Sequence, residues 1–190
     1  MKDETTAVLL GLLGWLCLAL AASLSGYFEH ASAIAVAATV WILTALVLLV
    51  YWRIWLVFDW VTMVDLRWLI ALHLTRFVGI YFLVLSNHGR LPAGFARPAA
   101  IGDITIATVA AIILLMSSRR VPRAILLTWN MLGLIDIVYV ALSALRFGLK
   151  DWESMAPLRE LPLSLLPTFF VPLIIASHVL IFLRLKATLA

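Results

Sequence analysis

The sequence is short of charge and of cysteine. Asp, Glu, Lys and Arg make up only 13% of its 190 residues, whereas about 25% is usual for a soluble domain. Cys17 is the only cysteine, which excludes an intramolecular disulfide and any zinc or iron–sulfur site built from several cysteines. The HExxH, GxSxG and histidine-rich iron-binding patterns are absent, as are internal repeats, so no motif assigns a known catalytic chemistry.

Apolar residues take the place of the missing charges. They account for 65% of the chain, above the roughly 45–50% of soluble domains. A fold of this size exposes a large share of its surface and cannot hide that many apolar side chains from water. The composition therefore predicts an integral membrane protein with the lipid bilayer as its partner. It excludes soluble enzymes, disordered tails and nucleic-acid-binding modules.

Six stretches reach the roughly 20 apolar residues that a membrane-spanning helix needs. They predict an all-α, six-helix transmembrane bundle that forms a single domain over residues 1–190. The predicted spans, numbered 1 to 6, are residues 7–25, 33–57, 66–86, 99–116, 124–145 and 163–183. Span 1 is expected to persist as a helix rather than to be cleaved, because its leader is not net basic and no small-residue cleavage site precedes Gly26.

Basic residues near the predicted helix ends indicate the orientation. The side with both termini carries eight: Lys2, Arg53, Arg67, Arg119, Arg120, Arg123, Arg184 and Lys186. The other side carries five: Arg90, Arg97, Arg146, Lys150 and Arg159. Because loops rich in Lys and Arg stay in the cytoplasm, both termini are predicted to be cytoplasmic.

Six strongly polar side chains fall inside the predicted spans, where an ionisable group costs roughly 2.5–3.5 kcal/mol at the bilayer centre. They are His73 and Arg76 in span 3, Asp103 in span 4, Asn130 and Asp136 in span 5, and His178 in span 6. Such residues usually face the interior of a helix bundle and find partners there. They are therefore the candidate ligand-binding residues.

The depths of these residues coincide. At 1.5 Å of rise per residue, His73, Asn130 and His178 each lie about 10 Å from the side of the termini. Arg76 and Asp136 lie about 15–18 Å from it, near the bilayer middle. His73 and Arg76 also share one face of span 3. These coincidences predict a polar interior site formed by spans 3, 5 and 6.

Asp103 is predicted to lie outside the two layers, only about 7 Å below the opposite surface. There it is expected at the outer entrance of the site, where it caps span 4 or pairs with Arg90 or Arg97. The other polar residues have structural explanations too. Arg76 and Asp136 could form an ion pair that only fixes helix register, and each histidine could bond a neighbouring carbonyl.

The leading hypothesis for function is binding of a cofactor or small ligand within the bilayer. Its sharpest form is a b-type haem with His73 and His178 as axial ligands, since bis-imidazole ligation requires two histidines at one depth on different helices. The same two histidines are the candidate ligands of a metal ion. Arg76 and Asp136 are predicted to form a charge clamp, and Asn130 to orient the ligand. No catalytic residue is assigned.

Three other classes stay open. In a proton-coupled carrier, Asp136 and Arg76 would exchange partners while the proline-broken span 6 moves. Six short helices leave little room for alternating access, so a carrier favours a homo-oligomer. A membrane-embedded enzyme could use the acidic and histidine groups for general acid–base work on a lipophilic substrate. In a structural or assembly subunit, the polar residues would only lock the fold.

Three short motifs carry a resemblance to a known group of proteins. Residues 76–83 read RxxGxxFL, residues 89–96 read GxLPxxFA, and residues 102–103 read GD. This combination resembles a pattern found in small bacterial membrane proteins of unknown function. The resemblance implies a multi-pass protein of the bacterial inner membrane, and it implies no activity.

Overall fold

The computed structural model describes residues 2–116 and 121–187. Of these residues, 88% are helical and none lies in a strand. Six helical segments are long and apolar enough to cross a membrane, which confirms the predicted all-α, six-span fold class. Spans 1 to 6 are Asp3–Leu24, Ala33–Arg53, Leu66–Asn87, Ala93–Leu115, Arg123–Lys150 and Leu166–Lys186.

Several span ends differ from the predicted ones for local reasons. Span 2 ends at Arg53, because Ile54 is extended and a separate short helix, Trp55–Met63, follows it. Span 4 begins at Ala93, six residues before its predicted start, and contains Pro98 near its N-terminus. Span 5 continues to Lys150. Two shorter helical segments, Tyr27–His30 and Glu153–Arg159, connect spans 1 and 2 and spans 5 and 6.

Span 3 changes its helix type in the middle. It is α-helical over Leu66–Ala71 and Gly79–Asn87, and a 3₁₀ helix over Leu72–Val78 joins these two pieces. In a 3₁₀ helix three residues make one turn, so residues three apart lie directly above one another. The tighter winding therefore aligns His73 with Arg76 on one line that faces the interior, where both are buried.

Span 6 is irregular where its prolines predict a break. A π-helical turn over Leu166–Phe170 precedes the regular helix Val171–Ala187. Pro172 has no N–H to donate to the carbonyl of Thr168, four residues earlier. Instead, the indole Nε1 of Trp15 donates to this carbonyl at 2.9 Å, and the Trp15 ring packs edge-on against Phe169. Span 1 thus supplies the hydrogen bond that the proline removes.

The spans differ in how much of each is buried. Span 6 is the most enclosed and span 1 the least. Small residues of span 4, including Ala107 and Ala110, are fully buried, as expected of a packing seam. By contrast, Gly11 and Gly14 of span 1 face open space rather than another helix. No described part of the chain therefore packs closely against these two glycines.

The apolar core forms clusters on either side of the polar residues. One cluster, around Ile70, Trp129 and Ile181, packs the half of the bundle nearer the termini. Another, around Phe82 and Phe95, packs the opposite half. The polar side chains lie in the layer between them. This arrangement encloses the candidate site on both sides with tightly packed side chains.

Candidate functional site

His73 of span 3 and His178 of span 6 are in direct contact. Their ring centroids lie 4.2 Å apart, with an angle of 39° between the ring planes. Both side chains are completely buried. The ring of Trp129, on span 5, packs against both, with centroids 5.0 Å from His73 and 5.9 Å from His178. Three spans therefore meet at this group of rings.

Asn130 fixes the proton position on His178. The amide Nδ2 of Asn130 donates to the backbone carbonyl of His178 at 2.9 Å, so the amide oxygen must be the atom that faces the ring. That oxygen lies 2.8 Å from Nδ1 of His178 and can only accept. Nδ1 therefore carries the hydrogen, and Nε2 of His178 presents a lone pair. Asn130 thus orients His178 through both its ring and its backbone.

Ser177 fixes His73 in a similar way. Its hydroxyl donates to the carbonyl of Ile174 at 2.8 Å, and its oxygen lies 3.2 Å from Nε2 of His73. A hydroxyl has one hydrogen to donate, so Nε2 of His73 is the donor of the second bond. Nδ1 of His73 and Nε2 of His178 are then left without a hydrogen-bond partner, although both are buried. Buried polar atoms normally have a partner, so these two nitrogens are the open positions of the site.

Arg76 forms an ion triad with two carboxylates from two other spans. Its Nε donates to Asp103 of span 4 at 2.7 Å, and its Nη2 pairs with Asp136 of span 5. Its Nη1 donates to the carbonyl of Gly133 at 3.1 Å. The guanidinium and Asp103 are almost fully buried, whereas the side chain of Asp136 is 19% exposed. The triad joins spans 3, 4 and 5 at one point.

Glycines let the backbones close around these polar residues. A Cβ on Gly79 would lie 3.0 Å from the carbonyl oxygen of Ala100, and a Cβ on Gly133 would lie 2.5 Å from Cε1 of His178. A Cβ on Gly102 would collide with the carboxylate of Asp136. Each of the three spans in the ion triad thus has a glycine within three residues of its charged residue. The site depends on these close approaches.

Two adjacent cavities reach this region. A small cavity of about 30 Å³ is lined by Arg76 and Asp103 together with apolar side chains. An apolar groove of about 80 Å³ runs beside it between spans 2, 5 and 6, along Ala37, Ala141 and Ala144. The two cavities share Phe82, Val140, Leu166 and Val171 as lining residues. The apolar groove therefore lies next to a small cavity that borders the ion triad, and the two share part of their lining.

The ring spacing bears directly on the haem hypothesis. Imidazole nitrogens bind metals at about 2.0–2.1 Å, which places the centres of two opposed axial rings roughly 6 Å apart. The observed 4.2 Å between His73 and His178 is too short to admit a porphyrin between the rings. In the described part of the chain, no three His, Cys, Asp or Glu side chains form a group able to hold a metal ion. In this arrangement the two histidines do not fit a haem, and they offer a metal ion an incomplete ligand set.

The position of Asp103 differs from the expected one. The sequence placed it at the outer entrance, near Arg90 or Arg97, but it pairs with Arg76 in the interior. The reason is the earlier start of span 4 at Ala93, which puts Asp103 about 15 Å inside the helix. Arg90 pairs instead with Glu160 in the connecting segments. The candidate site thus involves span 4 as well as spans 3, 5 and 6.

Other contacting residues were missed from the sequence. Trp129 and Ser177 contact the histidines. The sequence did not single them out, because each lies next to a more strongly polar residue, Asn130 or His178. Gly79 and Gly102 also shape the site. Their signal in the sequence was their place in the RxxGxxFL and GD motifs, three residues and one residue from Arg76 and Asp103.

Comparison with known proteins identifies a family for this chain. A family model described as a domain of unknown function (DUF8737) matches residues 33–186. This range contains spans 2 to 6, all the polar residues of the candidate site and the three motifs noted above, and it leaves span 1 outside. No curated protein and no solved structure matches the chain.

Proposed function

We propose that this chain, which belongs to the DUF8737 family of unknown function, is a membrane protein that binds a small lipophilic ligand at the buried polar residues. The observation that carries this proposal is the shared wall between the apolar groove and the polar cavity at Arg76 and Asp103. A ligand with an apolar chain and one polar group matches both compartments at once.

The apolar groove suits a single hydrocarbon chain. Its lining side chains come mostly from Ala, Val, Leu and aromatic residues of spans 2, 5 and 6. Ala141 and Ala144 lie on the groove side of span 5, whereas Leu142 between them is exposed to the surroundings of the bundle. Small residues at the two groove positions leave the space that a chain would fill. Binding there removes apolar surface from a groove that protein side chains do not fill.

The polar cavity suits a compact group that both donates and accepts hydrogen bonds. A cavity of about 30 Å³ exceeds the roughly 10–15 Å³ that a single water needs, so it admits one small group. Arg76 offers only donors and Asp103 offers acceptor oxygens. A hydroxyl group satisfies both neighbours. We therefore propose a long-chain alcohol as the ligand class.

This proposal places the ligand beside the histidines rather than between them. His178 and His73 keep the roles of hydrogen-bonding and positioning residues, each with one buried ring nitrogen that has no partner. Arg76 and Asp136 act as the charge clamp. A haem ligand is the less favoured form of the proposal, because the two rings already touch.

The proposal also includes the location and the orientation of the protein in the membrane. The resemblance noted above supports a bacterial inner membrane, and the basic residues at the helix ends support cytoplasmic termini. Arg119 and Arg120, which belong to the strongest basic cluster, lie outside the described residues. Arg53, Arg67 and Arg184 lie in or beside the spans on the same side.

A photoreactive probe tests the proposal in membranes. A fatty alcohol with a diazirine in its chain is added to the membranes with and without excess unlabelled fatty alcohol. After irradiation, the crosslinked residues are mapped by mass spectrometry. Competed crosslinks are expected along the groove, at Ala141 and its neighbours. The substitution Ala144→Trp fills the groove and should abolish these crosslinks. The control Leu142→Trp, on an exposed face of the same helix, should leave them unchanged.

Three results would reject the proposal. Crosslinks that unlabelled alcohol does not compete would indicate general contact with lipid rather than a site. Equal competed labelling in Ala144→Trp and the wild type would show that the groove is not the route. A visible Soret band in the purified protein that disappears in His178→Ala would favour haem over the alcohol.

A further inference from the structure

We propose that the two carboxylates beside Arg76 hold one proton between them, and that this proton exchanges at Asp136 from the interior of the membrane. The proposal goes beyond ligand binding and does not rest on it. It follows from the charges in the triad and from the exposure of one of its members.

The triad contains one cation and two carboxylates. The guanidinium of Arg76 stays protonated in proteins, and both Asp103 and Asp136 pair with it. Within residues 2–116 and 121–187, neither carboxylate has a second cationic partner. With both carboxylates ionised, the triad would carry one negative charge inside the bundle. A buried charge without a partner is costly, and such a group takes up a proton instead.

The groups around the triad do not supply the missing positive charge. Span 3 contributes His73 and span 6 contributes His178, and one nitrogen of each ring is buried without the acceptor that a second N–H would need, which favours the neutral form of both rings. Span 4 contributes Asp103 itself. A metal ion is the alternative counter-charge, but the described residues contain no group of three metal-ligating side chains. A proton shared by the two carboxylates balances the charge without any further ligand, and it belongs to the pair rather than to one residue.

Asp136 is the member that can exchange this proton. It lies midway along span 5, about 20 Å from either end. Its side chain is 19% exposed, against 4% for Asp103. Its neighbours on the same helix, Leu132, Ile135 and Tyr139, are exposed apolar side chains. The open edge of the triad therefore faces the surrounding lipid near the bilayer middle.

A lipid-soluble carbodiimide reports this proton directly. A protonated carboxyl gives its proton to a nitrogen of dicyclohexylcarbodiimide, while a carboxyl oxygen bonds to the central carbon of the reagent. Rearrangement to an N-acylurea keeps every atom, so the labelled peptide gains the mass of the reagent. An ionised carboxylate lacks the proton that starts the reaction. In membranes that contain the full chain, labelling is expected at Asp136 and not at Asp103.

The decisive variant changes Asp103, the carboxylate that the carbodiimide is not expected to label. In Asp103→Asn, one guanidinium faces one carboxylate, the charges balance, and Asp136 no longer needs a proton. Its labelling should fall at least about tenfold, the change that corresponds to about 1.4 kcal/mol. Glu160→Gln breaks an exposed ion pair and should label like the wild type. Asp136→Asn should lose the label and thereby identify the site.

Other outcomes would overturn the proposal. Undiminished labelling in Asp103→Asn would show that the two carboxylates do not share a proton, and labelling at Asp103 would refute the access route. Infrared spectroscopy of the wild type provides an independent reading if a variant fails to fold. It should show the carbonyl stretch of a protonated carboxyl group, and its absence would reject the shared proton. Neither measurement depends on the fatty-alcohol probe, so the two proposals fail separately.

Discussion

Gly133 offers the sharpest test of how closely the spans must approach. A methyl group at this position would lie 2.5 Å from Cε1 and 2.9 Å from Nε2 of His178, and 3.2 Å from Cγ2 of Ile106. Distances below 3.0 Å require a movement of one partner. His178 cannot move freely, because Asn130 holds both its ring and its carbonyl. We therefore expect Gly133→Ala to push spans 5 and 6 apart.

The expected cost follows from two contributions. Overpacking of a filled interior costs typically about 1–3 kcal/mol. Losing the bond between Asn130 and the His178 ring adds about 0.5–1.5 kcal/mol if the ring is displaced. Gly14→Ala is the matched control, because a methyl group there meets nothing within 4 Å. In an open helical position the same substitution usually stabilises by about 0.4–1 kcal/mol.

Thermal unfolding in a mild detergent measures the difference. For chains of 150–250 residues, each kcal/mol moves Tm by about 2–4 °C. Gly133→Ala should therefore unfold several degrees below the wild type, while Gly14→Ala should match or exceed it. Equal Tm values for the two variants would refute the close packing of span 5 against His178.

Further predictions use the same unfolding measurement or NMR. Arg76→Gln should destabilise by about 3–5 kcal/mol, since it leaves the buried carboxylate of Asp103 and the partly exposed one of Asp136 without their partner. Arg90→Gln, in a half-exposed pair, should cost only about 0–1 kcal/mol, and equal costs would contradict the burial of the triad. Trp15→Phe should cost about 0.5–1.5 kcal/mol by removing the hydrogen bond between spans 1 and 6, and an unchanged Tm would refute that bond. Nitrogen NMR should show His178 with its hydrogen on Nδ1 in the wild type and a mixture of tautomers in Asn130→Leu; identical spectra would reject the role of the amide.

Much of the polar layer was predictable because helix geometry is nearly invariant. A rise of 1.5 Å per residue converts sequence position into depth, and few polar residues lie inside the spans. This suffices to bring His73 to the level of His178, and Arg76 to the level of Asp136. In the structure the first pair is in ring contact and the second is an ion pair. The fold class followed from composition for the same reason.

The error over Asp103 shows where such depth estimates fail. Depth is counted from the predicted end of a span, so a misplaced end shifts every residue counted from it. Span 4 begins at Ala93 rather than six residues later, although Pro98 marks the predicted boundary. A proline is tolerated in the first turns of a helix, where few N–H groups have partners. Six residues correspond to about 9 Å, enough to move Asp103 from the surface to the ion triad.

Other features depend on contacts between distant segments and left no periodic signal. The 3₁₀ winding of Leu72–Val78 aligns His73 with Arg76, yet its sequence is compatible with an ordinary α-helix. The bond from Trp15 to the Thr168 carbonyl joins residues 153 positions apart. Pro172 predicts that the Thr168 carbonyl lacks its usual helical hydrogen bond, but only the tertiary structure decides which donor binds this carbonyl.

The glycine contacts also bear on whether the protein is a ligand-binding protein or a carrier. In a carrier, Arg76 would have to leave Asp136 for another partner while spans 3, 4 and 5 shift. Each of these spans is in backbone or side-chain contact at a glycine beside the triad, at Gly79, Gly102 and Gly133, and such a shift would have to break these contacts. The proposed exchange of a proton at Asp136 requires no such break, because no helix has to move. The packing therefore agrees better with the proposed binding site and exchangeable proton than with a site that alternates between the two sides of the membrane.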